Sequence, residues 1–309
     1  MKIRIFLLAI LLAGIAIVPM VNAADDRVQR LPEPQQVPMD EKALKEMQKE
    51  IIKELQASTV IDDREKRLLV KQLREIWSGE SSVSESQKQR ILAHAYEVLM
   101  QSYSSNPTVE WSGCSGVGCA LPHNDMARIA GQKMGLSSNY VKILYDSVGD
   151  PDSWFGYSYN HYALTGAPEN TRDYANLARS YIKNGNPGLG YKNLAYSMHF
   201  MTDMSQPFHY FYDGLLPHKT YEDYVGANWI TGIAYITAVN GNNYYYYITD
   251  PKASAYNLAR YSVQYKAYIM SAMDKPGWQN NPTLIQDTKD CLVQGERYDM
   301  GLVNYATRA

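Results

Sequence analysis

The residues of this chain best equipped for chemistry fall in one short stretch. His199-Phe-Met-Thr-Asp203 sets an imidazole and a carboxylate at i and i+4, on one face of a helix. Pro207 ends that helix, and His209 follows where the chain can turn back toward the same pocket. His218-Lys-Thr-Tyr-Glu222 then repeats the i, i+4 pairing, giving five ligand-type side chains within 24 residues. Such pairs suit zinc, which binds imidazole nitrogen and carboxylate oxygen at about 2.0–2.2 Å. One pair alone is ordinarily a hydrogen-bonded pair. Two pairs bracketing a third histidine have no periodic structural role that explains the whole set.

The elements that must position these residues lie in the second part of the chain. From Trp111 onward the texture is aromatic and glycine-bearing, with five of the six histidines. Segments 123–136, 170–184, 188–204, 219–238, 252–273 and 283–305 read as helices by period and length. Tyr244-Tyr-Tyr-Tyr-Ile248 reads as a short strand or a buried helix turn. Together they predict a single all-α domain of about 200 residues, enough for one core.

The first part differs. Leu44, Met47, Ile51 and Leu55 recur at amphipathic-helix spacing, a second charged helix runs through Arg64–Leu69, and Gln87–Met100 reads as a third. The run at 78–82 reads as a loop, and Pro32, Pro34 and Pro38 mark an extended linker. His94 reads as a solvated helix residue. Lys2 and Arg4, an apolar run from Ile5 to Met20, and Val21-Asn22-Ala23 have the order of a secretory signal. A membrane anchor is the rival, since the run approaches the roughly 20 residues that span a bilayer. Export would favour pairing among Cys114, Cys119 and Cys291. Cys114 with Cys119 would close a small loop, and Cys291 would be free or pair with either. The net charge of -2 gives no reason to expect a polyanion as a standing partner. The 26 tyrosines against five phenylalanines point to half-buried rings with polar tips.

His199-x3-Asp203-x5-His209, with Gln206-Pro207 between, resembles the central motif of the bacterial zinc-dependent phospholipases C. His218-Lys-Thr-Tyr-Glu222 resembles that family's next ligand pair. Pro151-Asp152 followed by Asn160-His161-Tyr162 resembles its aspartate and the histidine after it. His123, heading Asn124-Asp125-Met126-Ala127-Arg128, resembles its first histidine. Trp111-Ser112 resembles the tryptophan that begins the mature enzymes. The resemblance covers about 111–305, and all five histidines after Trp111 fall on ligand positions. No Ser/His/Asp or Cys/His arrangement then has a histidine left to use.

The resemblance implies a multi-helix zinc phospholipase C-like domain at 111–309, after a signal at 1–23 and a helical pro-segment at 24–110. It implies three zinc ions. Asp152, His161, His199 and Asp203 would hold one, and His209, His218 and Glu222 a second. The third would take His123, Asp203 as a bridge, and the α-amino nitrogen and carbonyl oxygen of Trp111. A peptide nitrogen cannot serve there, because its lone pair is delocalised, so a protease must cut between Glu110 and Trp111. Asp152 would accept a proton from the attacking water, with Asp150 as the alternative. The implied protein is a secreted, monomeric phosphodiesterase that touches a membrane surface transiently and cleaves the glycerol-side phosphodiester bond of phospholipids. Tyr145, Trp154, Tyr157 and Tyr159 would line a lipid or base pocket or pack in the core.

The chain departs from the family in places. The spacings from Asp152 to His161 and from His209 to His218 are short. Cys114 and Ser153 stand near positions where the choline site has an acid and an aromatic residue, which leaves the headgroup open. The fungal-type single-strand zinc nucleases are a second reading, although they carry an aspartate where Glu222 stands. A secreted binding protein with structural zinc is a third, although such sites are closed, four-coordinate and usually cysteine-bearing.

Overall fold

The computed structural model describes residues 28–34, 41–79, 82–103, 122–154, 158–211 and 215–308. Among them run eleven α-helices and two three-residue strands, as the all-α expectation requires. At the centre lies α7 (Pro187–Asp203), which is buried at nearly every position from Leu194 onward. A helix without a polar face has to sit inside. Around it stand α4 (Pro122–Lys133), α5 (Ser138–Ser147), α6 (Ala167–Lys183), α10 (Pro251–Met273) and α11 (Pro282–Thr307).

Three of these helices begin with the same local device. Asn186-Pro187, Asp250-Pro251 and Asn281-Pro282 each put a side-chain oxygen on the backbone N–H groups of the first turn. The proline that follows has no N–H to lose there. Helix α11 approaches the centre through Gly295, where a Cβ would stand 2.9 Å from the Cβ of Ser205.

The segment read as one helix at 219–238 is two, α8 (Leu215–Ala227) and α9 (Tyr235–Gly241). Between them Gly232 and Ala234 adopt φ of 68° and 53°. The fully buried Trp229 anchors the break by donating its Nε1–H to Asp125 at 2.9 Å. Helix α5 escaped the sequence reading; it buries only Val141 and Leu144 and is too short for a strong periodic signal. Of the two alternatives at 244–248, the strand is found over Tyr244–Tyr246 (β2).

The first part of the chain folds against the second. Helices α1 (Glu41–Ala57), α2 (Asp63–Ser78) and α3 (Glu85–Tyr103) bury Ile51, Leu55, Leu69, Leu73, Tyr96 and Leu99 in a cluster that also holds Tyr162 and Phe211. Ahead of the prolines expected as a linker, β1 (Gln29–Leu31) pairs in parallel with β2, Gln29 opposite Tyr244. Three residues are too few to show alternation in sequence. Ser254 donates its hydroxyl to Glu33 at 2.5 Å, and the Arg30 guanidinium lies 3.6 Å above the Tyr247 ring.

Cys291 is a buried free thiol, while Cys114 and Cys119 lie outside the described residues. His94 is half-exposed on α3 and faces Glu65 at 2.9 Å. No described helix is long and apolar enough to cross a membrane, and the expected signal at 1–23 lies outside the described residues.

Candidate metal centre

Five pieces of chain deliver the expected ligands. His199 and Asp203 sit one turn apart at the end of α7. The chain then turns sharply, the Gln206 N–H bonding to the Asp203 carbonyl and the His209 N–H to that of Gln206. This swings His209 back beside Asp203. The Ala163 N–H bonds to the His209 carbonyl at 2.8 Å and the Leu164 N–H to that of Tyr210 at 3.2 Å, which brings in His161. Asp152 arrives on a single 3-10 turn, Asp150–Ser153. His123 comes from the first turn of α4, and His218 and Glu222 from successive turns of α8.

Eight side chains converge: His123, Asp152, His161, His199, Asp203, His209, His218 and Glu222. Trp111 lies outside the described residues. Asp203 is the hub. Its Oδ2 lies 2.9 Å from His161 Nδ1 and 3.4 Å from His199 Nε2. Its Oδ1 lies 3.3 Å from His123 Nε2 and 3.6 Å from His209 Nδ1. Asp152 Oδ1 adds contacts of 3.3 Å to His199 and 3.9 Å to His161. On the far side, His209 Nε2 is 2.9 Å from His218 Nε2, and Glu222 Oε1 is 3.3 Å and 2.8 Å from the two.

These separations fit ions held in common. Two donors each about 2.1 Å from one tetrahedral ion stand about 3.4 Å apart, and the facing atoms here span 2.8 to 3.9 Å. The donors form three groups, His123/His199/Asp203, Asp152/His161/His199 and His209/His218/Glu222, each with ligand atoms within 4.8 Å of one another. Both ring nitrogens of His123, Nδ1 of His209, Oδ1 of Asp203 and Oδ2 of Asp152 are buried without a hydrogen bond among the described residues. An unmet buried polar atom costs about 1–3 kcal/mol. Cations between these atoms would satisfy most of them.

Electrostatics divide the histidines. Burial pushes the His199 imidazole down, but the Asp152 and Asp203 carboxylates prevail and hold it up at about 9. Burial pushes His209 down with less compensation, so it stays below the ordinary imidazole value. Burial works to raise Asp203 and Glu222, yet both end well below the usual carboxylate range. His199 and His161 act on Asp203, and His218 and His209 on Glu222. Both carboxylates are therefore ionised donors.

Asp152 and Asp150 face different ways. Asp150 accepts a hydrogen bond from the Tyr196 hydroxyl at 2.9 Å and faces Lys192 at 3.4 Å, whereas Asp152 faces the histidines. Gln206, which the sequence offered only as a spacer in the motif, has a positioning role. It donates its amide to Glu222 Oε1 at 3.0 Å and accepts the Phe208 N–H. Tyr162 packs its ring on His209 at 5.1 Å and on His218 at 6.1 Å. Behind the centre, Thr202 donates to the buried Asp299 at 2.7 Å. Trp154 packs against Tyr174, Tyr196 and Phe200 and belongs to the core. Tyr145 is half-buried, and nothing is described of the side chains of Tyr157 and Tyr159.

No protein-family model matches the chain, and no curated protein does. Among the solved structures that resemble it at a distance are alpha-toxin of Clostridium perfringens from an avian strain and alpha-toxin from Clostridium absonum. Each is 15% identical with a TM-score of 0.41. The first likeness covers 63% of this chain and 64% of the toxin, the second 60% and 65%. The chain thus spans less than two thirds of either toxin. A likeness this remote carries no argument, and the chemistry rests on the side chains.

Proposed function

We propose that the chain is the precursor of a secreted zinc-dependent phosphodiesterase of phospholipase C type, with 111–309 as its catalytic part. The observation that carries this reading is Asp203, which turns one oxygen toward His161 and His199 and the other toward His123 and His209. A carboxylate so placed is suited to be shared between ions. Three zinc ions would be held by Asp152, His161, His199 and Asp203; by His209, His218 and Glu222; and by His123, Asp203 and the freed Trp111 terminus. Zinc bound there would lower the pKa of a water toward neutrality and offset charge on the phosphoryl oxygens.

The protein side chains divide the remaining work. Asp152 holds Oδ1 toward His199 and keeps Oδ2 buried without a partner, ready to accept the proton of the attacking water. The water oxygen would add to phosphorus as the glycerol-side P–O bond breaks, and the leaving glycerol oxygen would take up a proton from solvent. His209 turns Nδ1 toward Asp203 at 3.6 Å and Nε2 to the His218 and Glu222 group, so it stands between the two sets of ligands. Gln206 steadies Glu222.

Residues 24–110 act as a pro-segment in this reading. Tyr96 of α3 packs on Tyr162 at 5.1 Å, and Tyr162 packs on His209 and His218, so a single ring separates the segment from the ligands. Cleavage before Trp111 would free an α-amine with a pKa of about 7.7–8.0, able to bind zinc once deprotonated. Zinc-loaded protein, full-length and cut at Trp111, is assayed on phospholipid vesicles and on single-stranded DNA. Release of diacylglycerol by the cut form supports the proposal. Preferential cleavage of DNA moves the assignment to a nuclease, and hydrolysis of neither leaves zinc a structural role. N-terminal sequencing of the secreted protein decides the cut, and a start upstream of Trp111 removes that part.

A further inference from the structure

A net charge of -2 hides an uneven surface. On α2, Arg64, Arg67, Lys71 and Arg74 follow one another at spacings of three, four and three, which aligns them along one helix face. At 1.5 Å per residue the stripe is about 15 Å long. All four are exposed, and Leu68, 55% exposed, stands beside them. The opposite face of α2 holds Leu69, Val70 and Leu73 against α1 and α3, so the stripe points away from the body of the protein. Among the described residues the three arginines have no ion pair. Lys71 has only a loose one, 3.7 Å to Glu75. Arg67, Lys71 and Arg74 also line a shallow groove together with Gln56, Asp63 and Lys66.

We propose that this face of α2 docks the protein on an anionic phospholipid surface, the cations taking lipid phosphates and Leu68 entering the headgroup layer. Guanidinium groups match phosphate oxygens two at a time, and a row of unpaired ones is ready for a surface that repeats the phosphate. The exposed apolar side chain within the row favours a bilayer over a nucleic acid. The one aromatic ring between Arg64 and Ser78, that of Trp77, is half-buried against the cluster of α1 to α3, which leaves no fully exposed ring on which a base could stack. The stripe lies far in sequence from the metal ligands, and its role does not depend on the phosphodiesterase reading.

Vesicle co-sedimentation of the chain from Ala24 onward, freed of the apolar segment at 1–23 and without added zinc, tests this, using phosphatidylcholine alone and phosphatidylcholine with phosphatidylglycerol. The protein is expected to bind the anionic vesicles and not the neutral ones, and to lose binding as salt rises. Arg67→Glu, Lys71→Glu and Arg74→Glu together should weaken binding by about 100-fold or more, since each cation near such a surface contributes roughly fivefold. The milder Arg67→Gln/Arg74→Gln pair should weaken it by at least about tenfold, with the circular-dichroism melt unchanged. Asp203→Asn should bind vesicles like the parent, which separates docking from the metal centre. Equal binding to neutral vesicles, no binding at all, unchanged binding by both stripe variants, or tighter binding to a single-stranded oligonucleotide would overturn the proposal.

Discussion

Asp203→Asn is the most informative single change, because it keeps the shape of the hub and removes only its charge. The carboxylate is fully buried and faces four histidines at 2.9 to 3.6 Å. Losing a partner merely behind a metal ligand typically weakens binding about 10–100-fold, so losing a shared ligand should cost at least that. The loss corresponds to about 1.4–2.7 kcal/mol. A ligand bound only by the native state stabilises by the logarithm of its affinity, so the same amount disappears from the zinc-induced stabilisation. A domain of about 200 residues moves by roughly 2–4 °C per kcal/mol. At equal buffered free zinc, the zinc-dependent rise in Tm should therefore be about 3–11 °C smaller in the variant. Differential scanning calorimetry with and without zinc reads the difference, and any change in the metal-free protein cancels. If zinc leaves the parent's melting unchanged, or raises both proteins equally, the hub assignment is wrong.

Other consequences follow from the same geometry. Because the Asp152 and Asp203 carboxylates hold the buried His199 up at about 9, it is protonated at neutral pH until a metal displaces the proton. Zinc binding at pH 7.5 should therefore release protons, seen as a buffer-dependent enthalpy in titration calorimetry; a buffer-independent enthalpy would contradict this. Gln206→Ala should weaken zinc about 10–100-fold by chelator competition, and should also destabilise the metal-free fold by about 1–3 kcal/mol, because the buried Phe208 N–H loses its acceptor. Burial raises the Glu296 carboxyl well above its ordinary value, with Asp299 pushing the same way and Lys133 and Arg128 opposing. The folded chain then keeps a proton that the unfolded chain releases above about pH 4.5, so stability falls as pH rises through that window. Glu296→Gln removes this contribution. In urea unfolding at pH 5 and pH 8 its loss of stability should be smaller than the parent's by about 1 kcal/mol or more; equal losses would contradict the sign.

Much of the centre was legible because helical spacing and ligand type coincide. His199 with Asp203 and His218 with Glu222 sit one turn apart on α7 and α8, so a linear pattern translates directly into a shared face. Asp152 and His161 were visible only through the family resemblance. Both lie on 3-10 turns, and that of His161 is placed by backbone bonds from Ala163 and Leu164 to His209 and Tyr210, which no local pattern encodes. The role of Gln206 was hidden for a related reason, since its partner Glu222 comes from the next helix. The segments read by period at 188–204, 252–273 and 283–305 begin within a residue of α7, α10 and α11. The break at 228–234 was missed, because it rests on a tertiary bond from Trp229 to Asp125 and on positive φ at Ala234. The docking of α1 to α3 against Tyr162 and Phe211 was likewise out of reach, since amphipathic period reveals an apolar face but not what covers it.

Diffraction at the zinc absorption edge from crystals of the zinc-loaded protein puts the metal centre itself in view. Anomalous peaks should appear about 2.0–2.2 Å from donors of His209, His218 and Glu222, and from donors of Asp152, His161, His199 and Asp203. Peaks confined to surface sites such as His94, or none, would show that these buried side chains pair with one another and hold no metal.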